Sequence, residues 1–329
     1  MAARKKQEYE SFNETVQVDG LVVMKIIKHC QDEGAGAIDL AQGVLLGLAS
    51  DKKLEVTNSF PFPKNLDDPS DEEQYQMDTM RLLRKVNVDH LQVGWYQSTQ
   101  QGQFLTPAFL DSQYTYQTTI EDSIVLVYDP LKTSRGFLYL KAYRLTPLAV
   151  SLFKEGDLTY EGFKNTKLAF DLLYTEMKVV IHNSHLMNAL LCEIDERRGP
   201  LEVPQVLDLG VSSMLEKHMR NLMDNLDEII VEVGKFNNYQ RQVQKQQLEK
   251  LKYIQKRSVE NTLRQAKGEP PLPEDDIHRL FKPLPAPSRI ESASFAAQSS
   301  DTCRQILSFC AQSIGKMYVA ESVQENLKQ

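Results

Sequence analysis

Seven residues decide the fold: Val93-Gly94-Trp95-Tyr96-Gln97-Ser98-Thr99. Aromatic and branched residues up to Tyr96 favour an extended chain, and the polar residues that follow favour a loop, so a strand is predicted over residues 90–96. Outward from this stretch, further strands are predicted over 43–49, 54–58, 123–128, 137–145 and 177–181. Predicted helices lie between these strands, and this mixture indicates one α/β domain.

Two of the predicted helices matter later. The first begins at Asp19, which stands where a capping residue is expected, and it carries one apolar stripe: Val22, Val23, Ile26, Ile27 and Cys30. The second begins near Asn183, and its spacing predicts that it buries Leu186, Met187, Leu190 and Leu191. His182 and His185 flank its start, and without a third ligand nearby we interpret both as structural residues.

The stretch 93–99 resembles the MPN family, in which a strand that ends in Gly-Trp-Tyr leads into a zinc site. In the catalytic members, the JAMM isopeptidases, an upstream Glu is followed by His-x-His and then by Ser-x-x-Asp. Two imidazoles and the Asp carboxylate hold the metal, and the fourth position is left for a water that the Glu activates. The resemblance implies an MPN (JAMM metalloprotease-like) domain over residues 16–200.

The metal ligands of that family have no counterpart at the matching positions. Gln97 and Thr99 stand where the two His would be, Pro107 and Leu110 stand where the Ser and Asp would be, and Leu40 replaces the Glu. Amide, hydroxyl and aliphatic groups are poor zinc ligands. The resemblance therefore implies a domain with no catalytic residue, no metal site and no cofactor.

A closer resemblance extends over most of the chain. Its stretches are Leu21-Val22-Val23-Met24-Lys25-Ile26-Ile27-Lys28-His29, Gln42-Gly43-Val44-Leu45-Leu46-Gly47, Leu140-Lys141-Ala142-Tyr143-Arg144-Leu145-Thr146-Pro147, Gly268-Glu269-Pro270-Pro271-Leu272-Pro273-Glu274 and Leu280-Phe281-Lys282-Pro283. They are similar to the non-catalytic MPN subunits of the third eukaryotic translation initiation factor complex. The resemblance implies a cytoplasmic scaffold subunit that supports recruitment of mRNA and initiator tRNA to the small ribosomal subunit.

The same resemblance implies the partners. MPN subunits of such complexes pair through their domains, so a second MPN subunit is expected on the face carrying Val22, Val23, Ile26 and Ile27. The C-terminal helices are expected to join other subunits in a shared helical bundle, and the ribosome is expected to be reached indirectly, through those subunits.

Periodicity divides the rest of the chain. A flexible tail is predicted over 1–15, a long bundle-forming helix region over 204–268, a Pro-rich linker over 269–295 and a C-terminal helix over 296–329. Apolar residues recur at heptad steps, which is typical of helices that pack against other helices. The residues predicted to bind bundle partners are Met219, Leu222, Leu226, Ile229, Val233, Phe236, Leu307 and Ile314. Packing of these rows against the chain's own domain is the alternative.

Composition sets the remaining limits. The net charge of −7 weakly repels phosphate, so any nucleic-acid contact has to be local. Residues 235–267 carry nine Lys or Arg against two Glu, so this basic helix is a possible RNA contact, or else a solvated or partner-facing surface. The four scattered cysteines fit a reducing compartment, and without an apolar run of membrane-spanning length no membrane contact is expected.

Three alternatives stay open at this point. The chain could be a non-catalytic MPN subunit of the proteasome lid or of the signalosome. It could be a zinc isopeptidase acting on ubiquitin-like conjugates, against which the missing ligands argue. It could also be an RNA-binding protein that acts through the basic helix.

Overall fold

The computed structural model describes residues 15–33, 40–50, 53–63, 69–134, 138–197, 211–266 and 280–328. The strands are β1 (Thr15–Asp19), β2 (Gln42–Ser50), β3 (Lys53–Pro61), β4 (Gln92–Ser98), β5 (Ile124–Tyr128), β6 (Leu140–Leu145) and β7 (Tyr174–His182). The helices are α1 (Gly20–Asp32), α2 (Pro69–Lys85), α3 (Pro107–Thr119), α4 (Pro130–Thr133), α5 (Pro147–Glu155), α6 (Tyr160–Thr166), α7 (His185–Arg197), α8 (Val211–Ala266) and α9 (Ile290–Lys328). Residues 1–14 of the predicted tail and residues 267–279, which include the start of the predicted linker, lie outside the described residues.

The strands form a closed barrel in the order β1-β3-β2-β4-β5-β6-β7, and β7 pairs back with β1. Strand β4 lies between β2 and β5, antiparallel to the first and parallel to the second. This pairing sets Gln97 beside Gln42 on one side and beside Val127 on the other. The mixed α/β domain predicted from the sequence is therefore confirmed.

Two hydrophobic clusters lie on either side of the sheet. Tyr96 points into the first cluster, which α1 covers with Val22 and Ile26. The adjacent Trp95 points the other way, into a cluster that contains Leu110 of α3 and residues of α5 and α9. Because neighbouring side chains of a strand alternate between faces, β4 contributes to both clusters.

Strand β1 was missed in the sequence analysis, which predicted a flexible tail up to residue 15 and no strand directly after it. Val16 and Val18 are fully buried, and the strand fits between β3 and β7, parallel to both. Two alternating valines among polar residues are too short a pattern to separate a buried strand from a tail. These valines are buried because the barrel closes and places β1 between β3 and β7, which the local sequence pattern does not show.

The C-terminal part is a hairpin of two long helices. Helix α8 has 56 residues and is about 84 Å long at 1.5 Å per residue. The chain then runs back along it, since the Phe281 ring contacts Tyr253 and the Arg289 guanidinium lies 4.7 Å from the centre of the Phe236 ring. Helix α9 begins at Ile290, six residues before the predicted start at 296, because the last proline is Pro287.

Candidate functional site

The segment that replaces the zinc site is a loop between β4 and α3. Residues 99–106 turn through Gln101 and Gly102, both with positive φ (57° and 73°). The Thr106 side chain then caps α3 by accepting a hydrogen bond from the Phe109 N–H at 3.2 Å, and Pro107 occupies the first turn. This local sequence brings the end of β4 and the first turns of α3 together at one end of the barrel.

Each of the four residues at former ligand positions has a structural environment of its own. The Gln97 side-chain oxygen accepts a hydrogen bond from Gln42 Nε2 at 3.2 Å, and the Thr99 hydroxyl donates to the Gln103 carbonyl at 2.9 Å. Leu110 is fully buried in the cluster around Trp95, whereas Leu40 is 41 % exposed. The donor set is thus one amide and one hydroxyl, each already hydrogen-bonded, which does not fit a zinc ion.

Helix α9 covers this loop through one buried glutamine. Gln298 accepts hydrogen bonds at its side-chain oxygen from the N–H groups of Phe104 (3.2 Å) and Leu105 (2.9 Å). Its amide nitrogen donates to the Gly102 carbonyl at 2.8 Å. One side chain of α9 therefore satisfies three backbone groups of the loop between β4 and α3.

Further amides join the loop to both long helices. Asn221 and Asn225 of α8 donate to the side-chain oxygens of Gln101 and Gln103, at 2.9 and 3.3 Å. Gln103 in turn donates to the Thr302 hydroxyl of α9 at 3.5 Å. The loop is consequently held between the barrel and the helical hairpin.

A buried group of charges lies next to this amide network. Lys132 Nζ donates to the Gln305 side-chain oxygen at 2.8 Å, and Gln305 Nε2 donates to Asp301 at 2.5 Å. Asp129 is fully buried and accepts from the N–H groups at the start of α4. Burial raises the pKa of the Asp129 carboxyl, and the Lys132 charge opposes that rise; burial likewise lowers the pKa of Lys132, against the attraction of Asp129.

The sequence analysis missed this network. Its members are amides and small hydroxyl residues, which helical periodicity assigns to the solvent side. A faint signal exists in α9, whose first turns carry Ser292, Ser294, Gln298, Thr302 and Gln305 in place of the charged residues common on exposed helices; all five are buried.

The predicted bundle residues divide into two rows. Leu222, Ile229 and Phe236 are partly buried, and the Phe236 ring lies 6.0 Å from the Tyr160 ring of the barrel domain, so for Phe236 the packing is within the chain. The other row, Met219, Leu226 and Val233, faces solvent. Met223 and Ile230, which the heptad analysis did not include, lie on the same side of the helix. This apolar stripe consists of Met219, Met223, Leu226, Ile230 and Val233, which are 41 to 66 % exposed. On α9, Leu307 and Ile314 are exposed as well.

The predicted docking face on α1 needs correction. Val22, Val23 and Ile26 are buried in the barrel's own core, and Ile27 packs against the same cluster. The stripe was read correctly as apolar, but it covers the barrel and not a partner. Leu21 and Met24 are the large apolar residues that α1 exposes.

Helix α7 differs from its prediction in the opposite way to α1, because its apolar face was predicted to be buried and is exposed. Leu186, Leu190, Leu191 and Ile194 follow one helical face, and all four are exposed, Leu186 by 84 %. The prediction that this helix buries Leu186, Met187, Leu190 and Leu191 is wrong, because within the described chain no element packs over it. Ser184 does cap the helix, accepting from the Met187 N–H at 3.3 Å.

Neither the histidines nor other residues form a metal cluster in the part of the chain that the structure describes. His182 lies 3.9 Å from Asp19, and no group of three His, Cys, Asp or Glu side chains comes together among the described residues. Within the same ranges, no helix is both long and apolar enough to cross a membrane.

The barrel, the β4–α3 loop and the substituted ligand positions define an MPN-class domain. The family model described as JAB1/Mov34/MPN/PAD-1 ubiquitin protease matches residues 11–122, which confirms the predicted fold class. A second model, described as the C-terminal region of eIF3h, matches residues 133–329.

Whole-length relatives narrow the assignment. The chain is 49 % identical to the eIF3h protein of Bombyx mori, a component of eukaryotic translation initiation factor 3, over 98 % of this chain and 96 % of the relative. It is 48 % identical to the Xenopus laevis eIF3h protein over 99 % of both chains, and 49 % identical to the B form from Danio rerio over 94 % of this chain and 93 % of the relative. The chain belongs to the eIF3h family of eukaryotic translation initiation factor 3 subunits.

Proposed function

We propose that this chain is a non-catalytic scaffold subunit of the translation initiation factor 3 complex. In this proposal it supports the recruitment of mRNA and initiator tRNA to the small ribosomal subunit, which it reaches through other subunits in the cytoplasm. Its relatives are named as subunits of initiation factor 3, which supports membership of this complex. The substituted and covered ligand positions support a binding function without catalysis.

The apolar stripe of α8 is the observation that carries the scaffold proposal. Its five side chains stand in water on a helix whose other side is used by α9 and the barrel loop. Burying the exposed half of such a side chain contributes about 1 kcal/mol. A row of five is therefore a sufficient apolar core for a helix from another subunit, in the manner of a coiled-coil seam.

A second MPN subunit fits the exposed apolar side chains of the barrel domain. Helix α7 offers Leu186, Leu190 and Ile194, and α1 adds Leu21 and Met24. In the proposed pairing, these exposed residues form the interface that the sequence analysis had assigned to the core-facing stripe of α1. Interfaces that are permanently formed tend to be apolar, and the exposed residues of α7, α1 and the apolar stripe are apolar.

The absence of catalysis is part of the proposal and has its own test. Metal analysis of the purified chain is expected to give no stoichiometric zinc, and incubation with diubiquitin is expected to give no cleavage. Zinc at one equivalent together with cleavage by the pure chain would revive the isopeptidase alternative.

The scaffold itself is tested with a tagged chain in cells. Replacing both Leu226 and Ile230 by Asp puts two charges into the stripe, and we expect recovery of the other initiation factor 3 subunits to fall at least tenfold. The matched control is Leu148→Asp, which adds a charge at an apolar residue of α5 with similar exposure (43 %). Both variants should keep the thermal unfolding midpoint of the parent chain within a few degrees.

Two outcomes would overturn the proposal. One is unchanged recovery of the sister subunits by the stripe variant. The other is recovery of proteasome lid or signalosome subunits in place of initiation factor subunits by the unmodified chain.

A further inference from the structure

The distal half of α8 carries a straight row of cations. Arg241, Lys245, Lys252 and Lys256 are separated by four, seven and four residues. At 100° per residue they fall within an arc of about 60°, and at 1.5 Å per residue the row is about 22 Å long. We call these four residues the basic stripe.

The basic stripe lacks the counter-charges that three other cations of α8 have. Arg220, Lys235 and Arg264 each form an ion pair with a Glu three or four residues earlier on the helix. The four stripe residues are exposed, and within the described ranges none of them pairs with a carboxylate. Four unpaired positive charges on one face are unusual in a chain whose net charge is −7.

The surroundings of the basic stripe distinguish between two kinds of partner. Leu248 and Val259 lie on the same side of α8, are 59 % exposed, and alternate with the cations along the helix. At 100° per residue, the arc of the apolar stripe lies directly beside the arc of the basic stripe on the helix surface. Phosphate groups gain nothing from exposed leucine and valine, whereas a helix with both apolar and acidic residues satisfies every residue of this face.

We propose that the basic stripe docks an acidic segment of a helix from a sister subunit. The partner helix would place an apolar row on Met219 to Val233 and Asp or Glu residues, spaced four and seven apart, on the basic stripe. Charge pairs along such a seam set its register and orientation more than its strength. This inference rests on the proposed function, because it assigns the chemistry of the partner in the same bundle.

The experiment uses the full chain and an initiation factor 3 complex depleted of its own copy of this subunit. The test variant combines Arg241→Gln, Lys245→Gln, Lys252→Gln and Lys256→Gln. The control removes the same charge from exposed lysines of the barrel domain: Lys53→Gln, Lys154→Gln, Lys164→Gln and Lys178→Gln. Affinity for the depleted complex is measured from about 50 to 500 mM salt, a range over which exposed charge pairs are progressively screened.

At low salt we expect the test variant to bind about tenfold more weakly than the parent and the control, as four exposed charge pairs predict. At high salt the three chains should converge. Carbodiimide treatment of the parent complex should couple Lys252 or Lys256 directly to an Asp or Glu of a sister subunit.

Equal binding of the test variant and the parent at every salt concentration would overturn the inference. So would a loss that nuclease treatment of the complex abolishes, together with ultraviolet crosslinking of RNA to α8, because the occupant would then be RNA. If the Leu226→Asp, Ile230→Asp chain is released while the four-charge variant is not, only this inference fails. If neither is released, the scaffold proposal fails with it.

Discussion

The α8–α9 hairpin has an inner side that packs against the barrel domain and an outer side that is exposed to solvent. The inner side meets the β4–α3 loop, where Gln298, Asn225 and Thr302 are buried and hydrogen-bonded to the loop. The outer side leaves the apolar stripe in water. Several polar residues are thus buried at the loop while a row of large apolar residues stays exposed, against the usual distribution in a globular protein.

The difference teaches where the binding capacity of this chain lies. A loop without metal ligands could have left an open cleft for a ligand, but here α9 covers it, and the side-chain oxygen and nitrogen of Gln298 both bond to the loop. The outer side has apolar groups and no described element to cover them. Binding energy available to a partner therefore lies in exposed apolar side chains, on the outer side of the hairpin and on α7 and α1, and not in the loop that α9 covers.

The largest expected effect comes from breaking the inner side. Replacing Gln298 by Ala leaves two N–H groups and one carbonyl of the loop without their partner. Buried groups left unsatisfied cost about 1 to 3 kcal/mol each, so we expect a loss on the order of 4 kcal/mol in the free energy of unfolding. Chemical denaturation of the full chain measures it.

Gln312 provides the matched control, since it is exposed on the same helix. Gln312→Ala should change the free energy of unfolding by less than about 0.5 kcal/mol. If the two variants unfold alike, α9 does not dock on the loop in solution, and the contrast between the two sides disappears.

A smaller effect is expected from the buried charges beside the loop. Asp129→Asn removes the carboxylate that attracts the Lys132 charge most, with Asp301 left beside it, and Lys132→Met removes the charge that attracts the buried Asp129 carboxylate. Each substitution should cost about 2 to 3 kcal/mol. The double variant removes both ions, so its loss should be well below the sum of the two. A double-mutant cycle on the full chain measures the coupling.

The pH dependence of the two single variants should have opposite signs. Loss of the Lys132 charge raises the already raised pKa of the Asp129 carboxyl. The native state therefore binds this proton more tightly than the unfolded chain, in which the pKa of the carboxyl is 3.8. The stability of Lys132→Met should therefore increase as the pH falls from neutral toward 4. In Asp129→Asn the lowered pKa of Lys132 makes stability increase as the pH rises toward 10.5. Parallel pH profiles would contradict the pairing of these charges.

The sequence predicted the MPN-class domain because a few residues determine it locally. The Gly-Trp-Tyr strand end carries the resemblance to the MPN family, and the heptads of α8 specify a helix. The missing ligands at Gln97 and Thr99 were also readable, since a substituted residue type needs no structure to be seen.

What escaped prediction depends on which element lies over which. The α1 stripe around Val22 and the α7 stripe around Leu190 have the same periodicity, yet the first is buried by the barrel and the second is exposed. Gln298 could not be foreseen as a buried residue, because its partners are backbone groups almost 200 positions earlier in the chain. Periodicity gives the face of a helix, and only the tertiary packing gives its neighbour.

The smallest expected effect on stability is that of Leu226→Ala, and it tests the difference between the inner and outer sides of the hairpin most directly. Leu226→Ala removes an exposed side chain (46 %) from the apolar stripe, and Leu and Ala have similar helix propensities. The free energy of unfolding of the isolated full chain should change by less than about 0.5 kcal/mol. Leu110→Ala makes the same chemical change at a fully buried former ligand position, where the lost contacts and the cavity should cost about 2 to 5 kcal/mol.

The value of this pair lies in a reversal between two measurements. In the isolated chain the Leu110 variant should be the damaged one, while in assembly with the sister subunits Leu226→Ala should be the variant that binds more weakly. A large loss of stability from Leu226→Ala in the isolated chain would mean that its side chain is already covered there, by another part of the chain or by a second copy. The outer side would then be a filled interface like the inner one, and a partner helix would have to displace what covers it before it could bind.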